Sequence, residues 1–327
     1  MRILVLGGAG YIGSHFVKAA VKNHEVVVID NLKTGHQKAI DKQARFYEGD
    51  IRDKDFMRRV FDKQKIDIVV HFAASSLVGE SMEMPLAYFD NNVFGTLVML
   101  ETMAEFKVDK IVFSSSAAVY GAKKEMPITE AVIPEPTNPY GETKLMMERM
   151  MKWAEKAHGI RYVSLRYFNV AGASTDGSIG EDHRPETHLI PIILQVPLGK
   201  RKDITIFGDD YDTFDGTCIR DYIHIEDLVE AHLLAAKHLE SGNPSDIFNL
   251  GSQNGYSNLE IVEAAGKITG APIPYHFGPR RPGDPDKLVA SNAKAKAILG
   301  WEPKHSLGDV IGSAWVFHRE QPEGFGE

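Results

Sequence analysis

The chain has 327 residues, of which 43% are hydrophobic and 25% charged, with a formal net charge of −8. At roughly 150 residues per domain this length predicts two globular domains with sizeable cores. It excludes a disordered tail protein, a coiled coil and a disulfide mini-scaffold, and the interspersed charges offer no basic block for nucleic acid or an anionic membrane.

Along the chain, Ile3 to Leu6 is a short apolar run that predicts a buried strand. Gly7, Gly10 and Gly13 follow it as G-x-x-G-x-x-G and open a helical pattern. A tight turn and close approach to a pyrophosphate require residues without side chains, and the helix then offers its N-terminal amides to the phosphates. A second strand, Val26 to Ile29, ends at Asp30. An acidic side chain there accepts from a ribose 2′-hydroxyl and repels a 2′-phosphate, so NAD is expected rather than NADP. Asp50 and Ile51 sit past a third strand, where an adenine edge can be read. A turn or N-cap is the plainer role for Asp50.

Ile68 to Val70 is the next strand, followed by a helix with Val93, Leu97, Leu100 and Ala104 on its apolar face. The strand Ile111 to Phe113 closes on Ser114, Ser115 and Ser116. That is the carboxyl edge of a sheet, where ligands bind in open α/β folds. Tyr140 and Lys144 then stand one helical turn apart, behind Asn138 as N-cap and Pro139 in the first turn. An ammonium beside a phenol lowers the phenol pKa, so Tyr140 is expected to act as a general acid/base with Lys144 beside it. Tyr162 to Leu165 is a further strand. Strand and helix in alternation predict a Rossmann-type α/β fold with a doubly wound parallel sheet.

The pattern changes near residue 171. Residues 172–187 carry no apolar periodicity and predict a loop, and 271–286 predict a second, Pro- and Gly-rich irregular segment. Between them lie a helix-containing stretch, Asp221 to Leu239, and a strand, Ile247 to Leu250, able to rejoin the sheet. The expected domains are therefore 1–171 with 215–250 returning to it, and a smaller discontinuous substrate domain of 172–214 and 251–327. Met99 and Met103 on one helix, with Met146, Met147, Met150 and Met151 on the Tyr140 helix, predict a homodimer seam. Cys218 is the lone cysteine, which suits a reducing compartment and an inert thiol. The N-terminal apolar run is too short for a secretory signal, and no stretch approaches the ~18 apolar residues of a membrane span. A cytoplasmic protein is expected, with neither membrane nor nucleic-acid partners, and no metal site is assigned.

Seven segments, GGAGYIGSH, HFAA, NNVFGT, SSSAAVYG, NPYGETK, LRYFNVAGA and RDYIHIEDL, together resemble the extended short-chain dehydrogenase/reductase family, in its epimerase branch. The resemblance covers essentially the whole chain. It implies inversion of C4 of a UDP-hexose through transient oxidation to a 4-ketose by tightly bound NAD. It makes Tyr140 the acid/base, Lys144 its partner and a nicotinamide-ribose contact, and Ser116 the sugar-hydroxyl contact. It also places Tyr11, Ile12, Asp30, Asn31, Asp50, Ile51, Phe72, Ala73, Ala74, Asn91 and Phe168 around NAD. Asn169, Leu189, Arg220, Arg281 and Asp284 are implied to hold the UDP moiety, and a guanidinium can bridge two pyrophosphate oxygens.

The chain departs from its relatives at two places, and from a rival family at a third. Ser76 stands where many carry a lysine that reaches the cofactor, and Leu288 occupies the sugar-pocket gate, intermediate between the tyrosine and the small residue found elsewhere. Ala117 and Ala118 replace the Asp-Glu pair of nucleotide-sugar 4,6-dehydratases. The alternatives are such a dehydratase, a UDP-N-acetylhexosamine 4-epimerase and a non-catalytic NAD-sensing module.

Overall fold

The computed structural model describes residues 1–281 and 284–326. Its first half alternates strand and helix: β1 (Arg2–Leu6), α1 (Tyr11–Ala20), β2 (Glu25–Asp30), β3 (Arg45–Glu48), α2 (Lys54–Lys63) and β4 (Ile68–His71). Then come α3 (Val78–Glu83), α4 (Pro85–Tyr88), a π-helical turn Phe89–Phe94, α5 (Gly95–Phe106) and β5 (Lys110–Ser114). A 3-10 turn Ala117–Tyr120, α6 (Pro139–His158) and β6 (Arg161–Tyr167) complete this half. The later elements are β7 (Asn169–Ala171), α7 (Leu189–Leu194), β8 (Ile204–Phe207), β9 (Ile219–His224), α8 (Ile225–Glu240) and β10 (Asp246–Leu250). Last come β11 (Gly255–Ser257), α9 (Asn258–Thr269), β12 (Tyr275–Gly278), β13 (Lys287–Leu288), α10 (Ala293–Leu299) and α11 (Leu307–Glu320).

Two units are distinguished: residues 1–121, 130–167 and 229–248 in one, and 122–129, 168–228 and 249–327 in the other. The first holds a seven-stranded sheet in the order β10-β6-β5-β4-β1-β2-β3, with β6 through β3 pairing in parallel. The strand order reverses between β1 and β4, and the carboxyl end of that junction is where open α/β sheets bind ligands. β1, β4 and β5 are almost wholly buried, as strands covered by helices on both faces must be.

The predicted apolar face of α5 holds at Leu100, which is buried, and at Ala104, which packs against the core, but not at Leu97. Val98, Met99 and Met103 are buried, whereas Leu97 is 42% exposed. The helix packs against both α2 and α6, and those two neighbours, rather than a single stripe, decide which side chains lie inside.

The methionine seam is corrected as well. Met99, Met103, Met147 and Met151 all belong to the core under the sheet, with no exposure. Flexible thioethers fill irregular space between α5, α6 and the strands. Of the six, Met146 is exposed, and Met150 is partly buried and packs against the same core.

In the second unit β9 is central. It pairs with β7 and β13 in parallel and with β11 antiparallel. The segment 271–286 is less irregular than its prolines suggest, since Tyr275 to Gly278 pairs in parallel with β8. Residues 172–187 form no regular element. α7, α9 and α11 close a core that includes Ile193, Ile206, Tyr222, Ile261 and Ile311. Among the described residues no helix is long and apolar enough to cross a membrane.

Candidate active site

The three glycines differ in what they make room for. Gly7 has φ +79°, a left-handed backbone, and a Cβ there would lie 2.6 Å from Ala73 N. A Cβ on Gly13 would lie 2.0 Å from Gly7 O, so this residue lets α1 pack on the strand turn. At Gly10 the nearest atom is an ordinary 3.6 Å away. The protein's own packing does not require glycine there. Gly10 is also the N-cap of α1, whose first turn has no side-chain cap and no acidic residue, which leaves the helix end suited to an anion. These features fit a dinucleotide pyrophosphate. Gly13→Ala is therefore expected to lower the melting temperature, whereas Gly10→Ala keeps it and loses bound nicotinamide. Thermal melts and the nicotinamide content of purified protein separate the two outcomes.

Tyr11 and Ile12 open α1 beside this turn, and Phe72, Ala73 and Ala74 follow β4, with the Phe72 and Ala73 amides both donating to Leu6 O. Asp30 lies at the end of β2, where it accepts from Ala9 N at 2.9 Å and Leu32 N at 2.8 Å. Burial pushes its carboxyl above the usual range. Asp50 does close a turn, accepting from Arg52 N at 2.9 Å. It also forms a bidentate pair with Arg52 and meets Asn31 Nδ2 at 3.4 Å. The guanidinium holds Asp50 down at about 2. An adenine edge at this carboxylate has to share it with Arg52. Ile51 is buried beside it, against Gly95. Asn91 lies in the π-helical turn, its amide on Asn92 Oδ1 at 3.0 Å. Asn92 itself ties Ser75 to Thr143 of α6, at 3.1 and 3.0 Å.

α6 begins as its sequence predicts. Asn138 Oδ1 caps Gly141 N at 2.8 Å with Pro139 in the first turn. The three serines past β5 diverge. Ser114 Oγ meets His232 Nε2 at 2.9 Å, and Ser115 Oγ donates to Glu148 Oε1 at 2.6 Å. Ser116 alone reaches the Tyr140 hydroxyl. It accepts from Ala118 N at 3.1 Å, which leaves its own proton to stabilise oxygen charge on Tyr140. Lys144 Nζ donates to Ser114 O at 2.7 Å and lies 5.8 Å from the Tyr140 ring centre. The expectation of a lowered tyrosine pKa is corrected: burial raises Tyr140, with Ser116 opposing. Burial likewise brings Lys144 down to about 7, with Glu148 opposing. A desolvated lysine is a weaker cation than its spacing from Tyr140 implies.

Beneath this pair lies a buried network that the sequence did not reveal. Arg166 holds Glu148 bidentately at 2.9 and 2.5 Å and touches the Tyr120 hydroxyl at 2.9 Å. His71, at the end of β4, meets Thr96 Oγ1 at 3.2 Å, while its Nδ1 is buried without a partner. Burial, assisted by Lys144, brings His71 down to about 3. The unfolded chain takes up this proton near pH 6.5, the folded chain only near 3. His71 thus contributes stability that is full above pH 6.5 and is lost as pH falls toward 3, at up to about 1.4 kcal/mol per pH unit. His71→Gln is expected to flatten that part of the slope in urea unfolding between pH 6.5 and 4.

In the second unit Arg220 Nη1 donates to Ile219 O and Pro285 O, both at 2.9 Å, and Nη2 lies 3.4 Å from Asp284 Oδ1. Arg281 stacks on Phe207 at 4.2 Å. The structure thus brings Arg220 and Asp284 together. Leu288 pairs with Arg220 across β13 and β9, Phe168 precedes β7, which Asn169 opens, and Leu189 opens α7. Cys218 is buried, with its thiol pushed up by burial. One group passed over in the sequence, Glu181, His183, Glu186 and His188, also converges here. Five potential ligands within eight residues, these four and Asp182, were the available signal.

A family model described as "NAD dependent epimerase/dehydratase family" matches residues 3–251. The chain belongs to the NAD dependent epimerase/dehydratase family. Among proteins similar to this family member is a UDP-glucose 4-epimerase of Lactobacillus helveticus, 58% identical over 327 residues and covering 99% of each chain. A crystal structure of a UDP-glucose 4-epimerase superposes with a TM-score of 0.98 at 56% identity over all of both chains. The Bifidobacterium longum UDP-glucose 4-epimerase, solved with NAD+ and UDP, superposes at 0.94 with 40% identity, over 99% of this chain and 100% of that one.

Proposed function

We propose that the chain interconverts UDP-glucose and UDP-galactose by inverting C4, with NAD as its cofactor. The observation that carries this is the full-length 58% identity to a UDP-glucose 4-epimerase. Tyr140 and Ser116, hydrogen-bonded to each other at the carboxyl edge of the sheet, supply the acid/base chemistry. As the phenolate, which the Ser116 hydroxyl and the Lys144 ammonium would stabilise, Tyr140 would take the proton of the 4-hydroxyl as the C4 hydride leaves, giving a 4-ketose. The ketose turns, hydride returns to its opposite face, and Tyr140 gives the proton back, so the reaction is redox-neutral overall. Bound NAD supplies reversible hydride acceptance. Ser116 donates to the oxygen that gains charge, and Lys144 holds a second polar group beside it.

The cofactor is assigned to Gly7, Gly10, Gly13, Tyr11, Ile12, Asp30, Asn31, Asp50 and Ile51, with Phe72, Ala73, Ala74, Asn91, Lys144 and Phe168. The UDP moiety is assigned to Asn169, Leu189, Arg220, Arg281 and Asp284. Two arginines suit a pyrophosphate on a chain whose net charge is otherwise negative. Ala117 and Ala118, directly after Ser116, give no acid and base for removing a C6 hydroxyl, which argues against a 4,6-dehydratase. The test is incubation with UDP-galactose, UDP-N-acetylgalactosamine and UDP-glucose in parallel. UDP-glucose from UDP-galactose is expected, and a 6-deoxy-4-keto product would overturn the reading.

A homodimer is part of this reading. Met146 and Trp153 on α6 and Leu97 on α5 are exposed apolar residues, and Met146, Met150 and Trp153 follow helical spacing. Sedimentation equilibrium at micromolar concentration is expected to give twice the chain mass. The lone buried Cys218 supports a cytoplasmic setting.

A further inference from the structure

The loop between β7 and α7 has no regular structure, yet four of its side chains turn toward one point. Glu181 is buried, and two imidazoles meet the same oxygen of it. His183 Nδ1 lies 3.2 Å from Glu181 Oε1, and His188 Nδ1 contacts that atom too. Glu186 adds a second carboxylate, its Oε2 3.8 Å from His183 Nδ1. One donor atom from each of the four lies within 4.8 Å of every other.

We propose that Glu181, His183, Glu186 and His188 form a binding site for one divalent transition-metal ion, with zinc the ion that their two-nitrogen, two-oxygen donor set suits.

Zinc bonds to imidazole nitrogen and carboxylate oxygen at roughly 2.0 to 2.2 Å, so the edges of its tetrahedron are about 3.4 Å. The separations of 3.2 and 3.8 Å already bracket that edge. The four groups therefore need small side-chain shifts, and no backbone rearrangement, to surround an ion. Two imidazoles directed at one buried carboxylate oxygen compete for it. A cation gives each nitrogen its own bond and neutralises both carboxylates.

An independent feature points to the same place. Glu181, His183 and Glu186 line an open cleft of about 250 Å³ together with His318 of α11, whose Nε2 is buried without a hydrogen-bond partner.

The other His and carboxylate cluster, His224, Glu226 and His305, lacks this character. Glu226 N donates to His224 Nδ1 at 3.1 Å, and His224 Nε2 meets Ser313 Oγ at 2.9 Å. His305 Nδ1 pairs with Asp227 at 2.9 Å. Both nitrogens of His224 are already engaged, one by the Glu226 backbone amide and the other by Ser313.

Four protein ligands leave no open position, so the ion's role is structural rather than catalytic. It fixes a loop that contributes no backbone ladder. His188 is also the residue before α7, and its side chain makes no helix cap, so coordination would tie the loop to the start of that helix.

The test uses the untagged full-length chain, stripped with EDTA and dialysed. Co2+ is titrated in, and Zn2+ is then added as competitor. One equivalent of Co2+ with the intense visible absorption of a tetrahedral site is expected, displaced by Zn2+. Zinc at ~100 times its dissociation constant is expected to raise the melting temperature by on the order of 5 °C. Glu181→Gln and His188→Gln are expected to weaken binding at least ~10-fold, whereas His305→Gln leaves it unchanged. Circular dichroism checks that each variant is folded. A wild-type chain that takes up no metal overturns the proposal, and this outcome needs no variant. Equal binding by the Glu181 and His188 variants, or loss of binding in the His305 variant, overturns it equally.

Discussion

Tyr140→Phe is expected to lower the turnover of UDP-galactose by about three orders of magnitude, the middle of the range for a positioned acid/base. Melting temperature and nicotinamide content are expected to stay near wild type. The hydroxyl is buried with Ser116 as its hydrogen-bond partner, so its deletion empties little space and strands one serine proton. Ser116→Ala is expected to act in the same direction but less strongly, since it removes a donor from the phenolate rather than the base itself. Burial holds Tyr140 above its ordinary pKa, so loss of Ser116 should also move the pH-rate profile to higher pH. Wild-type turnover by Tyr140→Phe would place the acid/base elsewhere.

Glu148→Ala is expected to cost about 3 to 5 kcal/mol of stability in denaturant unfolding, the range for leaving one partner of a buried ion pair alone. Arg166 and Glu148 are both buried, with Arg166 held by two hydrogen bonds to that carboxylate and one to Tyr120. Arg166→Met is expected to fall in the same range. The double variant Glu148→Leu/Arg166→Met should be less destabilised than either sum implies, because no buried charge remains. The pair also acts on the chemistry. The Glu148 carboxylate raises Lys144, which burial has brought to about 7. Its removal should lower Lys144 further and shift the pH-rate limb that depends on it downward. A purely structural pair would leave that limb in place.

What could be read in the residues, and what could not, divides along physical lines. Strands buried on both faces give unbroken apolar runs, so Ile3 to Leu6, Ile68 to Val70 and Ile111 to Phe113 were legible. β3, with the polar ends Arg45 and Glu48 and only partly buried, left no comparable run. The glycine turn and the Asn138-Pro139 start of α6 are local signals that tertiary context had no reason to override. α5 was different, because two packed neighbours determine which of its apolar residues are inside. The methionines were misread for the same reason: a thioether in a core and one at an interface look alike in sequence. β12 was obscured by its proline-rich setting, since an edge strand of a two-stranded ladder needs few donors. Spacing placed Tyr140 and Lys144 on one helix face but carried no information on burial, and burial reversed the expected tyrosine shift. Glu148 and Arg166 lie 18 positions apart on different elements, so only the fold brings them together.

β10 stands beside β6 in the large sheet, yet it is contributed by residues 246–250, some 80 positions after β6 ends at Tyr167. During synthesis, β6 emerges and presents an unpaired ladder edge while the intervening segment is still being added. At ribosomal rates of ~5–20 residues per second the edge stays open for several seconds or more. Exposed edges template pairing with other chains. A chain truncated before residue 246 should therefore aggregate rather than persist as a free nucleotide-binding half, and refolding at high concentration should lose yield through association along β6.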